Sequence, residues 1–321
     1  MCIGVITVSR KEEQYVRNTI GSLLEDLSAE ERESIHLTLS IGHTNVSQHP
    51  IYTEKWVGTL PDKILEYRPE DVAKLEEWIE NGNYQLKSVF DYMYLLKDCH
   101  ATGARYVAMI EDDTIAVKGW YPRVLEALRE VEEKMQSRPG QEWLYLRLFY
   151  SEHLLGWNKE DWRTYLFWSF HAWMIITTTF LVVQHNSKHA QKLLSDPAML
   201  VISGVCIPAS IALFFAYGRN SIWPLAPGVH EMNNFGCCAQ GFVFPQYMVP
   251  AILEKISLMP NQLLDTMMES VSNDEGWARW ATTPALLQSI GSVSSKGEDF
   301  NDMAKHLWNF GFEMYGQSGL G

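Results

Sequence analysis

The chain has 321 residues, 46% of them hydrophobic, enough to bury one large α/β core or two ordinary ones, which excludes wholesale disorder. Its formal net charge of -13 excludes a general nucleic-acid binder, which needs a basic surface to displace the counterions of phosphate. An anionic ligand must be met here by a metal or by a few local arginines.

The opening MCIGVITVSR has neither the length nor the apolar core of a secretory signal. IGVITV (3–8) is a short β-branched strand running into the polar SRKEE, and a helix follows with Val16, Ile20, Leu23, Leu24 and Leu27 on one face. HLTLSIG (36–42) is the second strand, and Asn45-Val46-Ser47 after it is a glycosylation sequon. A helix starts behind Pro69, with Val72, Leu75 and Ile79 inward, and ends at Gly82-Asn83. Another covers Tyr84 to about Thr102, stops at Gly103 and leads into the strand RYVAMI (105–110). Glu111, Asp112 and Asp113 come next, then a helix from Gly119 to about Gln136 and the strand WLYLRLF (143–149). Such alternation predicts a mainly parallel sheet with helices on both faces, whose ligands bind beyond the carboxyl ends of the strands.

Two charge-free runs follow, Tyr165 to Val183 and Met199 to Tyr217, each close to the length that crosses a bilayer core. The short link between them makes this a transmembrane hairpin, and the alternative is a pair of core helices in a soluble protein. His171 is expected to snorkel or face its partner helix, and Pro208 to kink the second span. Two crossings return the chain to one side, so residues 1–162 and 219–321 are expected to form one domain interrupted by the hairpin 163–218. Lys188 and Lys192 in the link favour the cytosolic side for it, and hence the lumenal side for the domain, with Arg163 and Arg219 at the opposite ends weighing against.

The acidic triplet is the main chemical signal. At the carboxyl edge of such a sheet it makes a hard oxygen site for Mg²⁺ or Mn²⁺ and a diphosphate. Without a cation the charges repel, and one acid is expected to stay protonated. Arg10 and Lys11, after the first strand, are placed to meet a phosphate or uracil. The alternative is a solvated turn. The five cysteines lack any C-x-x-C spacing, so no zinc site is expected. Cys237 or Cys238 is expected to supply half of a disulfide, with Cys99 the preferred partner in an oxidising compartment; a pair of buried thiols is the alternative.

The stretch from Lys87 through SVFDYMYLLKDCHATGARYVAMIEDD, then WLYLRLFYSEHLLGW, the two-span interruption, CCAQGFVFP (237–245), PALLQSIGSVSSKGED (284–299) and WNFGFE (308–313) resemble the Golgi family that adds an N-acetylgalactosamine side branch to GPI anchors. The resemblance covers nearly the whole chain. It implies a GT-A-type, Rossmann-like α/β glycosyltransferase domain split by a transmembrane hairpin, in a multi-pass Golgi membrane protein with its globular part lumenal. The E-D-D strand and the PALLQ-IG-SS element also look like the N-glycan-branching N-acetylglucosaminyltransferases of the fourth type. Members of the GPI family usually carry a further membrane helix before the first strand, so the start of this chain is expected to be incomplete. Relatives often have His where Ser289 stands.

The resemblance implies a UDP-sugar donor with its uridine near Thr7, Val8, Ser9 and Arg10, and Asp91 reaching the nucleotide from its helix. The diphosphate would rest on Mn²⁺ or Mg²⁺, with Asp113 the direct ligand and Glu111 and Asp112 orienting the cation, a ribose hydroxyl or the sugar. An inverting transferase needs a base for the acceptor hydroxyl. The carboxylates beyond the hairpin are Glu231, Asp265, Asp274 and Glu275, and SNDEGW (272–277), read as a loop, favours Asp274 or Glu275. FVFPQYM (242–248) and LLGWNKEDW (154–162) offer rings for stacking on sugars or for core packing. The acceptor implied is a GPI-anchor glycan or GPI-anchored protein at the bilayer, where tethering raises the effective concentration of substrate. An N-glycan-branching transferase and a non-catalytic glycolipid-binding membrane protein of the same fold are the rival readings.

Overall fold

The computed structural model describes residues 1–11, 13–149, 158–223, 225–236, 238–259, 262–291 and 312. The chain divides into two compact units, residues 1–151 with 226–321, and residues 152–225. The first is built on ten strands: β1 (Cys2–Thr7), β2 (His36–Ile41), β3 (Lys63–Leu65), β4 (Tyr106–Glu111), β5 (Thr114–Ala116), β6 (Trp143–Arg147), β7 (Gly228–Glu231), β8 (Gly241–Pro245), β9 (Ala278–Thr283) and β10 (Leu287–Ser289). Eight form one sheet in the order β3-β2-β1-β4-β8-β6-β9-β7, and β10 pairs with β5 apart from it.

The sheet is mixed rather than mainly parallel. β3, β2, β1 and β4 are parallel neighbours, as are β6 and β9, but β8 runs antiparallel between β4 and β6, and β7 antiparallel along β9. β7 and β8 come from beyond the hairpin, so local alternation of strand and helix carries no information on where they insert. β4 explains why its sequence reads as a continuous apolar run. Val107 and Met109 feed one core cluster while Tyr106, Ala108 and Ile110 feed the other, so both faces are buried. The helices Val16–Leu24 and Trp120–Gln136 cover one face; Tyr84–Ala101, Val249–Ser257 and Leu264–Glu275 cover the other.

Cys99 is disulfide-bonded to Cys2, not to Cys237 or Cys238. Both lie in one core cluster, where the helix Tyr84–Ala101 crosses β1 closely enough to bring the Cα atoms within 5.5 Å. Gly4 permits that approach: a Cβ there would stand 2.8 Å from Leu95 Cγ. Cys238 is also in a disulfide.

The second unit is the helical hairpin. Lys159–Asn186 and Asp196–Tyr217 are long and apolar enough to cross a membrane, and only 0% and 11% of their most apolar stretches are buried within the protein. The alternative of two core helices requires the reverse. Trp173 Nε1 donates to Ser203 O at 2.7 Å and the rings of Tyr165 and Phe215 meet at 5.2 Å, tying one span to the other. Pro208 is accommodated by a π-turn at Ile202–Cys206, where the Ile207 amide reaches back to Ile202 O. Widening the helix by one residue just before a proline relieves the clash of its ring with the preceding turn. His171 bonds Phe167 O of its own helix through Nδ1 at 2.8 Å.

Candidate active site

β1 and β4 are adjacent and parallel, so the segments leaving their carboxyl ends meet. Successive residues at a strand end alternate in direction, and this separates the three acids. Glu111 is exposed, Asp113 half-buried, and Asp112 5% exposed. Both oxygens of Asp112 are taken by Arg10, Nη1 to Oδ2 and Nη2 to Oδ1, each at 2.7 Å. Thr7 Oγ1 donates to Oδ2 at 2.7 Å, and Thr19 Oγ1 donates to the main-chain oxygen of Asp112 at 2.7 Å. Arg10 reaches Asp113 Oδ2 only at 3.5 Å. Burial disfavours the charged guanidinium, but Asp112, with Asp113 and Glu111 beyond it, outweighs that and raises the Arg10 pKa.

Two sequence expectations are corrected by this geometry. Arg10 is committed to Asp112 rather than open to a phosphate or uracil, and Asp112 is a buried anchor rather than a group free to orient a cation. Lys11 is exposed.

Around Thr7 the polar groups interlock. Its hydroxyl proton goes to Asp112, so the 3.2 Å contact with His49 Nε2 is donated by the imidazole, while His49 Nδ1 accepts the Ile51 amide at 3.3 Å. His49 is thus neutral. Burial, then the charge of neighbouring His43, lowers its pKa to about 4. His43 Nε2 accepts the Ser9 amide at 2.9 Å and fixes the loop after β1. Val8 packs against Gly42, where a Cβ would stand 2.8 Å from Val8 Cγ1 and 3.4 Å from Asp91 Oδ2. Asp91 is buried beneath this edge. It accepts from Lys87 Nζ and Tyr67 OH, both at 2.6 Å, and Lys87 Nζ also bonds Gly42 O at 2.9 Å. Burial raises the Asp91 pKa against the opposing pull of Lys87 and Tyr67. Both Asp91 oxygens are thus engaged within the fold, by Tyr67 after β3 and by Lys87, which also holds Gly42 after β2, where a reach toward a nucleotide was expected.

The other side of the site comes from the distant LLQSIG segment. β10 pairs antiparallel with β5, setting Ser289 against Thr114, and the Ile290 amide bonds Asp113 O at 2.8 Å. Gly291 then lies on the Asp113 carboxylate: a Cβ there would stand 2.2 Å from Oδ2. Only glycine fits that approach without displacing the acid. The SSKGED segment, WNFGFE apart from the buried Phe312, and residues 154–157 of LLGWNKEDW lie outside the described residues.

A second ion cluster occupies the ends of β6 and β9. Glu269 accepts from Tyr145 OH at 2.6 Å, Arg147 Nη2 at 2.8 Å and Arg279 Nη1 at 2.5 Å, while Arg147 Nη1 holds Cys238 O at 2.6 Å. Burial raises the Glu269 pKa, opposed chiefly by Arg147. Sequence reading passed over this network because its members are spread over more than 130 positions of the chain; an arginine inside the apolar strand WLYLRLF was the available signal. It holds Asn234 and Cys238, near Gln240, whose main-chain oxygen accepts the Glu111 amide at 3.1 Å.

Asp265 lies beside segment 234–240, accepting the Cys238 amide at 3.2 Å. Asp274 and Glu275 do not: SNDEGW is no loop but the last turn of the helix Leu264–Glu275, capped by Gly276 with φ of 69°. That turn feeds the start of β9, at the edge remote from Glu111, and Glu275 is paired with Lys255. Glu231 is paired with Arg138 on β7. In FVFPQYM, Phe242 and Phe244 are core residues with no exposure and Tyr247 is exposed; Trp162 of the other aromatic stretch is also exposed.

Among the described residues no three His, Cys, Asp or Glu side chains are grouped to hold a metal. Glu111, exposed, and Asp113, half-buried, are hard oxygen donors at the end of β4. Such a pair fits a Mg²⁺- or Mn²⁺-type ion that draws its other ligands from substrate phosphate and water, not an all-protein cage.

The profile of the family described as GPI-N-acetylgalactosamine transferase PGAP4 matches residues 1–288. The chain belongs to this family. The matched region contains the acidic strand end, the hairpin and β10 through Gln288. The chain is also 22% identical over 209 residues to the alpha-1,3-mannosyl-glycoprotein 4-beta-N-acetylglucosaminyltransferase-like protein MGAT4D of Rattus norvegicus, covering 62% of this chain and 51% of that protein. With the alpha-1,3-mannosyl-glycoprotein 4-beta-N-acetylglucosaminyltransferase B of Mus musculus and of Homo sapiens, identity is 24% over 158 residues, 45% of this chain and 27% of each relative. The chain thus spans about half the length, or less, of the curated relatives it matches.

Proposed function

We propose that this PGAP4-family protein is a membrane-tethered glycosyltransferase with a GT-A-type catalytic unit, moving N-acetylgalactosamine or another hexose from a UDP-sugar to the glycan of GPI anchors in the Golgi lumen. The observation that carries the reading is the placement of the triplet: Asp112 is buried under Arg10 and Thr7, while Glu111 lies exposed at the carboxyl edge of the sheet and Gly291 lies against the half-buried Asp113. The loop Thr7 to Arg10, held by His43 through the Ser9 amide, flanks that edge and suits the nucleoside.

Glu111 and Asp113 are the residues that would hold Mn²⁺ or Mg²⁺. A divalent ion there supplies Lewis-acid stabilisation of charge on a departing diphosphate. Asp113 keeps its carboxylate in place through the Ile290 amide on its main chain and the glycine beside it. Asp265, the candidate base that lies beside segment 234–240, takes the acceptor hydroxyl's proton in this reading. The hairpin supports a lipid-linked acceptor, since a catalytic unit tethered to the bilayer meets such a glycan at raised effective concentration.

The test is the structure of GPI side branches in cells lacking the protein. Loss of the branch, restored by the wild-type chain and not by Asp113→Ala, is the expected result; branches that persist unchanged remove the acceptor assignment. The N-acetylglucosaminyltransferase relatives support a second reading, transfer to N-glycans. Altered N-glycan antennae with normal GPI branches would select it.

A further inference from the structure

The loop after β2 carries Asn45-Val46-Ser47, followed by Gln48, with no proline in or just after the triplet. Asn45 and Ser47 are both exposed. Asn45 caps the short 3-10 turn Val46–Gln48, its Oδ1 accepting the Ser47 amide at 3.1 Å and the Ser47 hydroxyl at 2.6 Å. The Asn45 Nδ2 makes no hydrogen bond among the described residues. A bulky group on that nitrogen displaces no packed neighbour, because the side chain belongs to the surface of the unit.

Two independent observations put this unit in the compartment where such triplets are modified. The Cys2–Cys99 disulfide lies in its core with neither cysteine exposed. Disulfides of this kind persist in the secretory lumen and are rare in the cytosol. The short link between the two spans carries Lys188 and Lys192, and lysines in short loops favour the cytosolic side, with Arg163 and Arg219 at the opposite ends weighing against. With the link in the cytosol, two crossings return both halves of the globular unit to the lumen.

We propose that Asn45 carries an N-linked glycan. In the transfer, Asn45 Nδ2 attacks C1 of an oligosaccharide borne on a polyprenyl diphosphate. The N–C1 bond forms and the C1–O bond to the diphosphate breaks. The lipid diphosphate leaves with the electron pair, and an amide proton passes to a base of the oligosaccharide-transferring enzyme. The glycan stands two residues beyond His43, which holds the Ser9 amide, so it marks the outer rim of the loops flanking the acidic edge. The modification is independent of sugar transfer by this protein: a chain inactive on UDP-sugars carries the same glycan.

The experiment expresses the full chain in eukaryotic cells and follows its gel mobility before and after peptide-N-glycosidase digestion, beside protease protection in sealed microsomes. A single-step shift is expected in the wild type and in Ser47→Thr, and none in Asn45→Gln or Ser47→Ala. Ser47→Thr guards against misreading a folding defect, since it keeps the sequon and the hydroxyl while changing the same turn. No shift in a wild-type chain that is protease-protected overturns the glycan and leaves the functional proposal standing. No shift in a chain whose globular unit is cleaved from outside overturns the lumenal placement as well.

Discussion

At the carboxyl end of β4 the guanidinium of Arg10 meets the acidic triplet, while along β6 and β9 two guanidiniums, Arg147 and Arg279, share the one carboxylate of Glu269. The first cluster binds Asp112 at both oxygens and Asp113 at longer range, with Glu111 exposed and Asp113 half-buried. The second has its arginines, Glu269 and Tyr145 buried, and its excess of donors is spread over Tyr145, Cys238 O and the amides of Asn234 and Asn273. The difference teaches that a surplus of charge marks a site only where it remains open to a ligand. In the interior the same surplus is absorbed by main-chain and amide oxygens and serves to fix a loop.

The sharpest way to break that contrast is Asp113→Ala. It removes the half-buried acid that Gly291 lies against, and a loss of UDP-sugar hydrolysis of about a thousandfold is expected, equivalent to about 4 kcal/mol, with the melting temperature nearly unchanged. Arg10→Met does the opposite, stranding Asp112 without its partner. A stability loss of about 3–5 kcal/mol is expected in chemical denaturation, and Arg10→Met with Asp112→Leu should recover much of it.

His49 gives a pH test of the same region. Its folded pKa, about 4 against an ordinary 6.5, means that between those values the unfolded chain binds a proton the folded chain does not. Stability should therefore fall as pH drops from 6.5 to 4, by about 3 kcal/mol in all, and His49→Gln should flatten that slope. Gly291→Ala pushes a methyl group onto Asp113. It should cost about tenfold in activity, or about 1.4 kcal/mol, with little change in melting temperature. The smallest effect is expected for Asp274→Asn and Glu275→Gln, on the remote edge, where transfer rates should stay within about twofold.

Much of this layout is legible in the sequence where the signal is local. β1, β2, β4 and β6, the helices between them and the two spans all follow from hydrophobic period and from the Gly and Pro stops. What escaped is non-local or directional. The insertion of β8 between β4 and β6 depends on residues beyond the hairpin, and the Cys2–Cys99 bond on a helix crossing a strand. The separate fate of Asp112 was latent in the alternation of a strand end, since three consecutive acids cannot point one way. Asp274 and Glu275 misled because N-D-E-G reads equally as a loop and as a helix ending at a left-handed glycine.

The claim that Glu111 and Asp113 serve a cation beneath a nucleotide diphosphate is tested most directly by measuring UDP binding to the full chain in a lipid nanodisc, with and without Mn²⁺, for the wild type and Asp113→Asn. The account predicts that UDP binds the wild type only when Mn²⁺ is present and that Asp113→Asn binds at least tenfold more weakly. Equal binding with and without the ion, or an Asp113→Asn chain that binds as the wild type does, would contradict it.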